Sequence, residues 1–141
     1  MIRKHKEQDL KQIITVWEQS SNLAHPFLTA DFVEKVKSDM TKFYIPDSET
    51  WVYEIDHSIV GFISMLDTEI GGLFVLPTNH SKGIGTKLVD FINKKHLELE
   101  VEVFEKNSIG RAFYDKYGFK KIKKYSHKES GHEVLRLKFR P

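Results

Sequence analysis

Apolar residues recur along this chain at two different spacings, and the spacing alone divides it into elements. Ile2 to Lys6 fits a short edge strand. Leu10, Ile13, Ile14 and Trp17 then fall on one face of a helix, which the stretch NLAHPFLTADF interrupts. From about Thr29 a second helix carries Phe32, Val33, Val36 and Met40. It should end before YIPDSE, because Pro46 makes continuation of the helix unfavourable. The period changes here. TWVYEI and IVGFISML are rich in aromatic and β-branched residues around a turn at Asp56-His57-Ser58, and IGGLFVLP is a third strand ending at Pro77. Ile84, Leu88, Phe91 and Ile92 restore a helical stripe, with Lys94, Lys95 and His96 suited to its negative end. LELEVEVF alternates as a strand does. Asn107 or Ser108 can cap a last helix that carries Ile109, Ala112, Phe113 and Tyr117 and stops at Gly118. FKKIKKYS and EVLRLKF close the chain as two strands.

The order β α α β β β α β α β β predicts an α/β chain in the α+β sense, with a mixed, mostly antiparallel central sheet. One βαβ crossover spans a glycine turn, and the strand-to-helix junction of such a crossover is where an α/β sheet usually places a ligand. A length of 141 residues suits one domain, 1–141.

Composition changes this picture only by exclusion. With 40% hydrophobic and 30% charged residues the chain should fold. A formal net charge of +2 supplies no global field for nucleic acid or an acidic membrane. The densest basic cluster, Lys120 to Lys124, reads as a solvated strand with Ile122 facing inward. The absence of cysteine removes disulfides, thiolate metal sites and a thiol nucleophile. None of the seven histidines shows metal-ligand spacing. The first residues lack the apolar run of a signal peptide, and no segment is long enough to span a bilayer, so a cytoplasmic location is expected.

The candidate chemistry begins at the glycine turn, HSKGIGTK. A helix start leaves backbone N–H groups unpaired and is electropositive, and glycines at Gly83 and Gly85 let a phosphate approach, with Lys82 and Lys87 adding charge. A nucleotide-binding P-loop would need a lysine after the second glycine and another glycine five positions before it; Thr86 and His80 stand there. The dinucleotide fingerprint needs a third glycine where the chain has Leu88.

What fits is HxxGxG, His80 to Gly85, directly after the strand LFVLP. Together with Asn107 and AFYDKYGF at Ala112 to Phe119, this resembles the GNAT superfamily of acyl-CoA-dependent N-acetyltransferases, and its small bacterial members in particular. His80 stands where the family usually has Gln or Arg. The resemblance runs along essentially the entire chain. It implies a central sheet of about seven strands with about four helices, and acetyl-CoA as cofactor with no metal. It also implies an amine substrate, either a protein lysine or N-terminus or a small amine, and a monomer or homodimer without nucleic-acid or membrane partners.

The resemblance also assigns residues. Leu73, Phe74 and Val75 would lie along the pantetheine, with Val75 N–H donating to the developing oxyanion and Gly71-Gly72 permitting a bulge. His80, Ser81, Lys82, Gly83, Ile84, Gly85 and Thr86 would hold the pyrophosphate, and Asn107 would reach the pantetheine while also capping its helix. Tyr114 would protonate the departing thiolate, its phenol pKa of about 10 lying near that of a thiol at about 8.5, whereas Tyr117 would serve structure. With no recognisable nucleophile, direct attack by the amine is expected. Glu98, Glu100 and Glu102 share one strand face, and Glu102 corresponds to the base position in some relatives. The alternatives are a merely wet face for these glutamates and a water relay through His25 or backbone carbonyls. His25 itself would line the acceptor channel. A non-catalytic acyl-CoA sensor or interaction module is the competing class.

Overall fold

The computed structural model describes residues 1–141. Seven strands form one sheet in the order β1-β2-β3-β4-β5-β7-β6. They are β1 (Ile2–Lys4), β2 (Glu49–Ile55), β3 (Ser58–Leu66), β4 (Glu69–Val75), β5 (Leu99–Phe104), β6 (Lys120–Ser126) and β7 (Glu133–Phe139). Every neighbouring pair is antiparallel except β4 and β5. The helices are α1 (Leu10–Ala24), α2 (Ala30–Asp39), α3 (Ile45–Asp47), α4 (Ile84–Asn93) and α5 (Ser108–Tyr117). The expected element order therefore holds, with small shifts of boundary.

Alternating strand residues send apolar side chains to both faces, and two cores result. On one face Ile63, Met65, Ile70, Leu99, Val101 and Val103 pack against Ile84, Leu88, Val89 and Ile92 of α4 and Tyr114 of α5. On the other, Val52, Ile59 and Phe62 pack against Ile13, Val16 and Trp17 of α1, together with Met40 and Ile45.

Two local expectations fail for identifiable reasons. The second helical segment does not end before Pro46. It widens into a π turn at Met40–Tyr44 and runs on as α3, whose first turn contains the proline, where a missing N–H is tolerated. Ile122 does not face inward. A bulge between Lys121 and Lys123 shifts the register of β6, and Ile122 stands 54% exposed.

Candidate active site

The site starts where the sheet comes apart. β5 pairs with β4 only at Glu69↔Glu100 and Ile70↔Val101. The next residue of β4, Gly71, is the extra one in a bulge, since Ser64 pairs with Gly72 and Met65 with Ile70. The Gly71-Gly72 pair thus marks the bulge at which the two strands part, and a Cβ on Gly71 would collide with the hydroxyl of Tyr44.

Past this point β4 keeps β3 as its partner on one side only. Leu76 N–H donates to Val60 O at 2.8 Å, so Gly61↔Val75 is a non-hydrogen-bonded pair and both backbone groups of Val75 point away from β3. The same alternation turns those of Leu73 toward the gap. Phe74 faces the opposite side, where its ring meets Phe62 at 5.6 Å, so it brings no side chain to the gap.

The turn after β4 folds back over this strand. His80 Nε2 lies 2.9 Å from Val75 O. A carbonyl only accepts, so Nε2 carries a proton and donates. Ser81 and Gly83 both take left-handed backbone conformations, with φ of 64° and 78°. Nothing stands within 4 Å of where a Cβ on Gly83 would be, so that glycine is required by its dihedral angle and the space above it is open. α4 starts here with no side-chain cap, which leaves the first N–H groups of Ile84, Gly85 and Thr86 without helical partners. Gly85 has a different reason to be small: a Cβ there would approach Phe113 to 3.1 Å, so it sets the close packing of α4 on α5. Lys82 is exposed, and Lys87 turns toward Tyr53, 3.4 Å from its hydroxyl, and so away from the turn.

These parts line one cleft of about 960 Å³ between α4 and α5, in which Leu73, Val75, His80, Ser81, Gly83 to Thr86 and Tyr114 all take part. Lys82, Phe74 and Asn107 are not in its wall. Tyr117 gives its hydroxyl to Asp90 at 2.7 Å and Tyr125 gives its own to Glu102, whereas that of Tyr114 is committed to no protein group. Burial raises the Tyr114 pKa well above the ordinary phenol value, which keeps it protonated throughout the physiological range but widens its distance from a thiol at about 8.5, so the close match expected from the sequence does not hold. At the far end of the cleft Asn93 Oδ1 is buried with no hydrogen-bond partner, an acceptor on a wall otherwise rich in donors.

The other sheet face carries the glutamates. Because Val101 and Val103 point into the core beneath Tyr114, Glu100 and Glu102 stand on the opposite side. They are not a merely wet face. Glu98 meets Lys138 and Arg140, Glu100 meets Arg136 at 2.8 Å, and Glu102 accepts from Tyr125 through Oε2.

His25 ends α1 and is half-buried. Its Nδ1 lies 3.0 Å from Ser21 Oγ and its Nε2 3.1 Å from Asn107 Nδ2, while Asn107 Oδ1 accepts from Gly110 N–H at 2.8 Å. Desolvation lowers its pKa to about 4, so the ring is neutral at physiological pH. With both nitrogens engaged, His25 is not free to relay water, which corrects that expectation.

The family model for the acetyltransferase (GNAT) domain matches residues 46–121. The chain belongs to the GNAT acetyltransferase family. It is thus an acyltransferase enzyme. It is 30% identical over 120 residues to peptidyl-lysine N-acetyltransferase YiaC of Escherichia coli, covering 84% of this chain and 82% of that one. The solution structure of apo YjaB from Escherichia coli superimposes with a TM-score of 0.88 at 25% identity, covering 99% and 96% of the two chains. PaiA N-acetyltransferase of Thermoplasma acidophilum, solved in complex with coenzyme A, gives a TM-score of 0.81 at 22% identity, covering 99% and 98%.

Sequence reasoning missed three residues that shape this GNAT cleft. Gly110 is held small by Asn107, whose Nδ2 would lie 2.6 Å from a Cβ there; the spacing Asn-x-x-Gly after a strand was its only signal. Phe113, read only as part of the apolar helix face and of the AFYDKYGF stretch, covers Gly85, and Asn93, which carries no local signature, lines the cleft as well. No group of three or more histidine, aspartate or glutamate residues is arranged to hold a metal ion, and no helix is long and apolar enough to cross a membrane.

Proposed function

We propose that the chain, a single N-acetyltransferase domain, transfers the acetyl group of acetyl-CoA directly to the side-chain amine of protein lysines in the bacterial cytoplasm. The observation that carries this reading is the coincidence of the splayed β4–β5 edge with the uncapped start of α4 in one cleft. The acceptor class follows YiaC and YjaB, both peptidyl-lysine N-acetyltransferases.

The residues fit the cofactor. The unpaired amides of Gly83 to Thr86 suit a diphosphate. Leu73 turns both backbone groups into the gap and Val75 its free N–H, the Val75 carbonyl being held by His80, and these can pair with an extended chain of amides as a further strand would. Acetyl-CoA supplies an activated acyl carbon with a thiolate leaving group. Val75 N–H stabilises charge developing on the thioester oxygen, and Tyr114 gives the departing sulfur its proton. A lysine amine with a pKa near 10.4 is neutral in fewer than about one molecule in two thousand at pH 7, so a proton acceptor is needed on the amine side. Glu102 stands on that face with Oε1 free of Tyr125, able to take the proton directly or through water.

Calorimetry with acetyl-CoA, followed by measurement of free CoA release with lysine peptides, tests this. Wild type should bind at micromolar levels and turn over. Gly83→Glu, which strains the left-handed backbone and puts a carboxylate into the open space above the turn, should weaken binding by at least about 100-fold, with circular dichroism checking that the fold survives. Binding without turnover on any lysine peptide or small amine would favour a sensor, and no binding by the wild type would reject the reading.

A further inference from the structure

We infer that His25 is a positioning residue for the cofactor side of the site: it fixes the amide of Asn107 so that one N–H is left as a preoriented donor to a carbonyl of the bound cofactor. This rests on the function proposed above. The primary amide of Asn107 has one acceptor and two N–H groups. Its Oδ1 is taken by Gly110 N–H at 2.8 Å, which settles which end of the amide is oxygen. The nitrogen end therefore faces His25, and since it can only donate, His25 Nε2 accepts at 3.1 Å. The ring proton must sit on Nδ1, where it is given to Ser21 Oγ at 3.0 Å.

One amide hydrogen remains. Asn107 is 9% exposed, and a planar amide pinned at its oxygen and at one hydrogen cannot turn, so the direction of the second hydrogen is set. That nitrogen rests against Gly110, which itself lines the cleft between α4 and α5. The pinning partner comes from the far end of α1, where the ring is wedged edge-on against Phe104 at 5.1 Å and Phe27 at 5.8 Å. A histidine expected to meet the amine thus reaches through to the residue expected to meet the thioester donor.

Two substitutions separate positioning from packing. His25→Gln places an acceptor near Nε2 and keeps the bond to Asn107; His25→Asn places polar atoms near Nδ1, keeps Ser21 and loses Asn107. Calorimetric affinity for acetyl-CoA should fall about tenfold in His25→Asn and stay near wild type in His25→Gln. Equal affinities in the two variants, whether both intact or both weakened, would overturn the inference. A second readout needs no variant: ¹⁵N shifts of the wild-type imidazole should report the Nδ1–H tautomer, and an Nε2–H tautomer would also overturn it. Failure of the wild type to bind acetyl-CoA would instead remove the proposed function itself, so the two failures are distinguishable.

Discussion

The two sides of the splayed strands are built by different means. The α4–α5 side is assembled largely from backbone: the free groups of Leu73 and the free N–H of Val75, the left-handed turn at Ser81 and Gly83, and the first amides of α4. The α1–α2 side is assembled from side chains brought together from distant segments. There Phe27 meets His132 at 4.9 Å, Phe104 meets His127 at 5.6 Å, and Lys35 pairs with Glu129. Backbone recognition suits a ligand that is the same in every turnover, since it depends on glycine positions and helix starts and tolerates side-chain change. A side-chain surface can be altered one residue at a time, which suits the half that must choose an acceptor.

The sharpest break of this comparison is chemical. If Tyr114 is the one side chain on the backbone-built half that moves a proton, Tyr114→Phe should lower turnover by about 10²- to 10⁴-fold and leave acetyl-CoA affinity unchanged. Initial rates of CoA release beside calorimetric affinity check this. Unchanged turnover would assign the proton to solvent and leave Tyr114 a core residue among Phe113 and Phe119.

The contrast also explains what could be read from the chain. The turn at His80 to Thr86, the cap at Asn107 and the stop at Gly118 depend on residues adjacent in sequence, and each lies where the pattern puts it. So does the bulge at Gly71, because paired glycines inside a strand have few other uses. The contact of His25 with Asn107 crosses 82 positions, and neither residue carries a local sign of the other. Ile122 was misread because alternation cannot register a bulge in advance, and Pro46 because a proline in a first turn looks the same in sequence as one that stops a helix. The glutamates on and just before β5 are ambiguous for a similar reason: Glu98 and Glu100 meet Lys138, Arg140 and Arg136 on and just after β7, and Glu102 meets Tyr125 on β6, neighbours not knowable from spacing.

A smaller effect tests the side-chain half through its stability. Desolvation holds the His25 pKa at about 4, below its ordinary 6.5. Between these values the unfolded chain binds a proton that the folded one refuses, so stability rises with pH through this window and is complete above about 6.5. From pH 7 down to pH 4 the loss from this group should be roughly 2–3 kcal/mol. Asp9 and Glu54 act in the same direction, because Arg3 holds both carboxyls below their usual range. His127 and His132 share the aromatic cluster, and Lys106 lies over Phe27. All of these remain in His25→Gln, so the difference in denaturant-derived stability between the two proteins across pH isolates His25. Parallel curves would mean that its ring is better solvated than the packing implies.

The smallest effect concerns the hinge between the two halves, and its sign is the informative part. Tyr44 packs its hydroxyl over the bulge at Gly71, where it is buried with no partner; burial first, and then the charge of Glu69, push its pKa up to about 12. A buried hydroxyl without a hydrogen bond is a cost to the fold, whereas the ring around it contributes packing with Met40 and Ile45 on the α1 face. Tyr44→Phe keeps the ring and removes the cost, so it should stabilise the protein by about 1 kcal/mol, read as a higher denaturation midpoint at unchanged slope. Because Gly71 marks the place where β4 leaves β5, the hydroxyl also bears on the shape of the gap, and the same variant should leave acetyl-CoA affinity within about threefold if backbone alone shapes that side. A loss of stability instead would mean that the hydroxyl finds a partner in solution, and a larger change in affinity would mean that a side chain from the acceptor half helps set the cofactor half, which would dissolve the division between them.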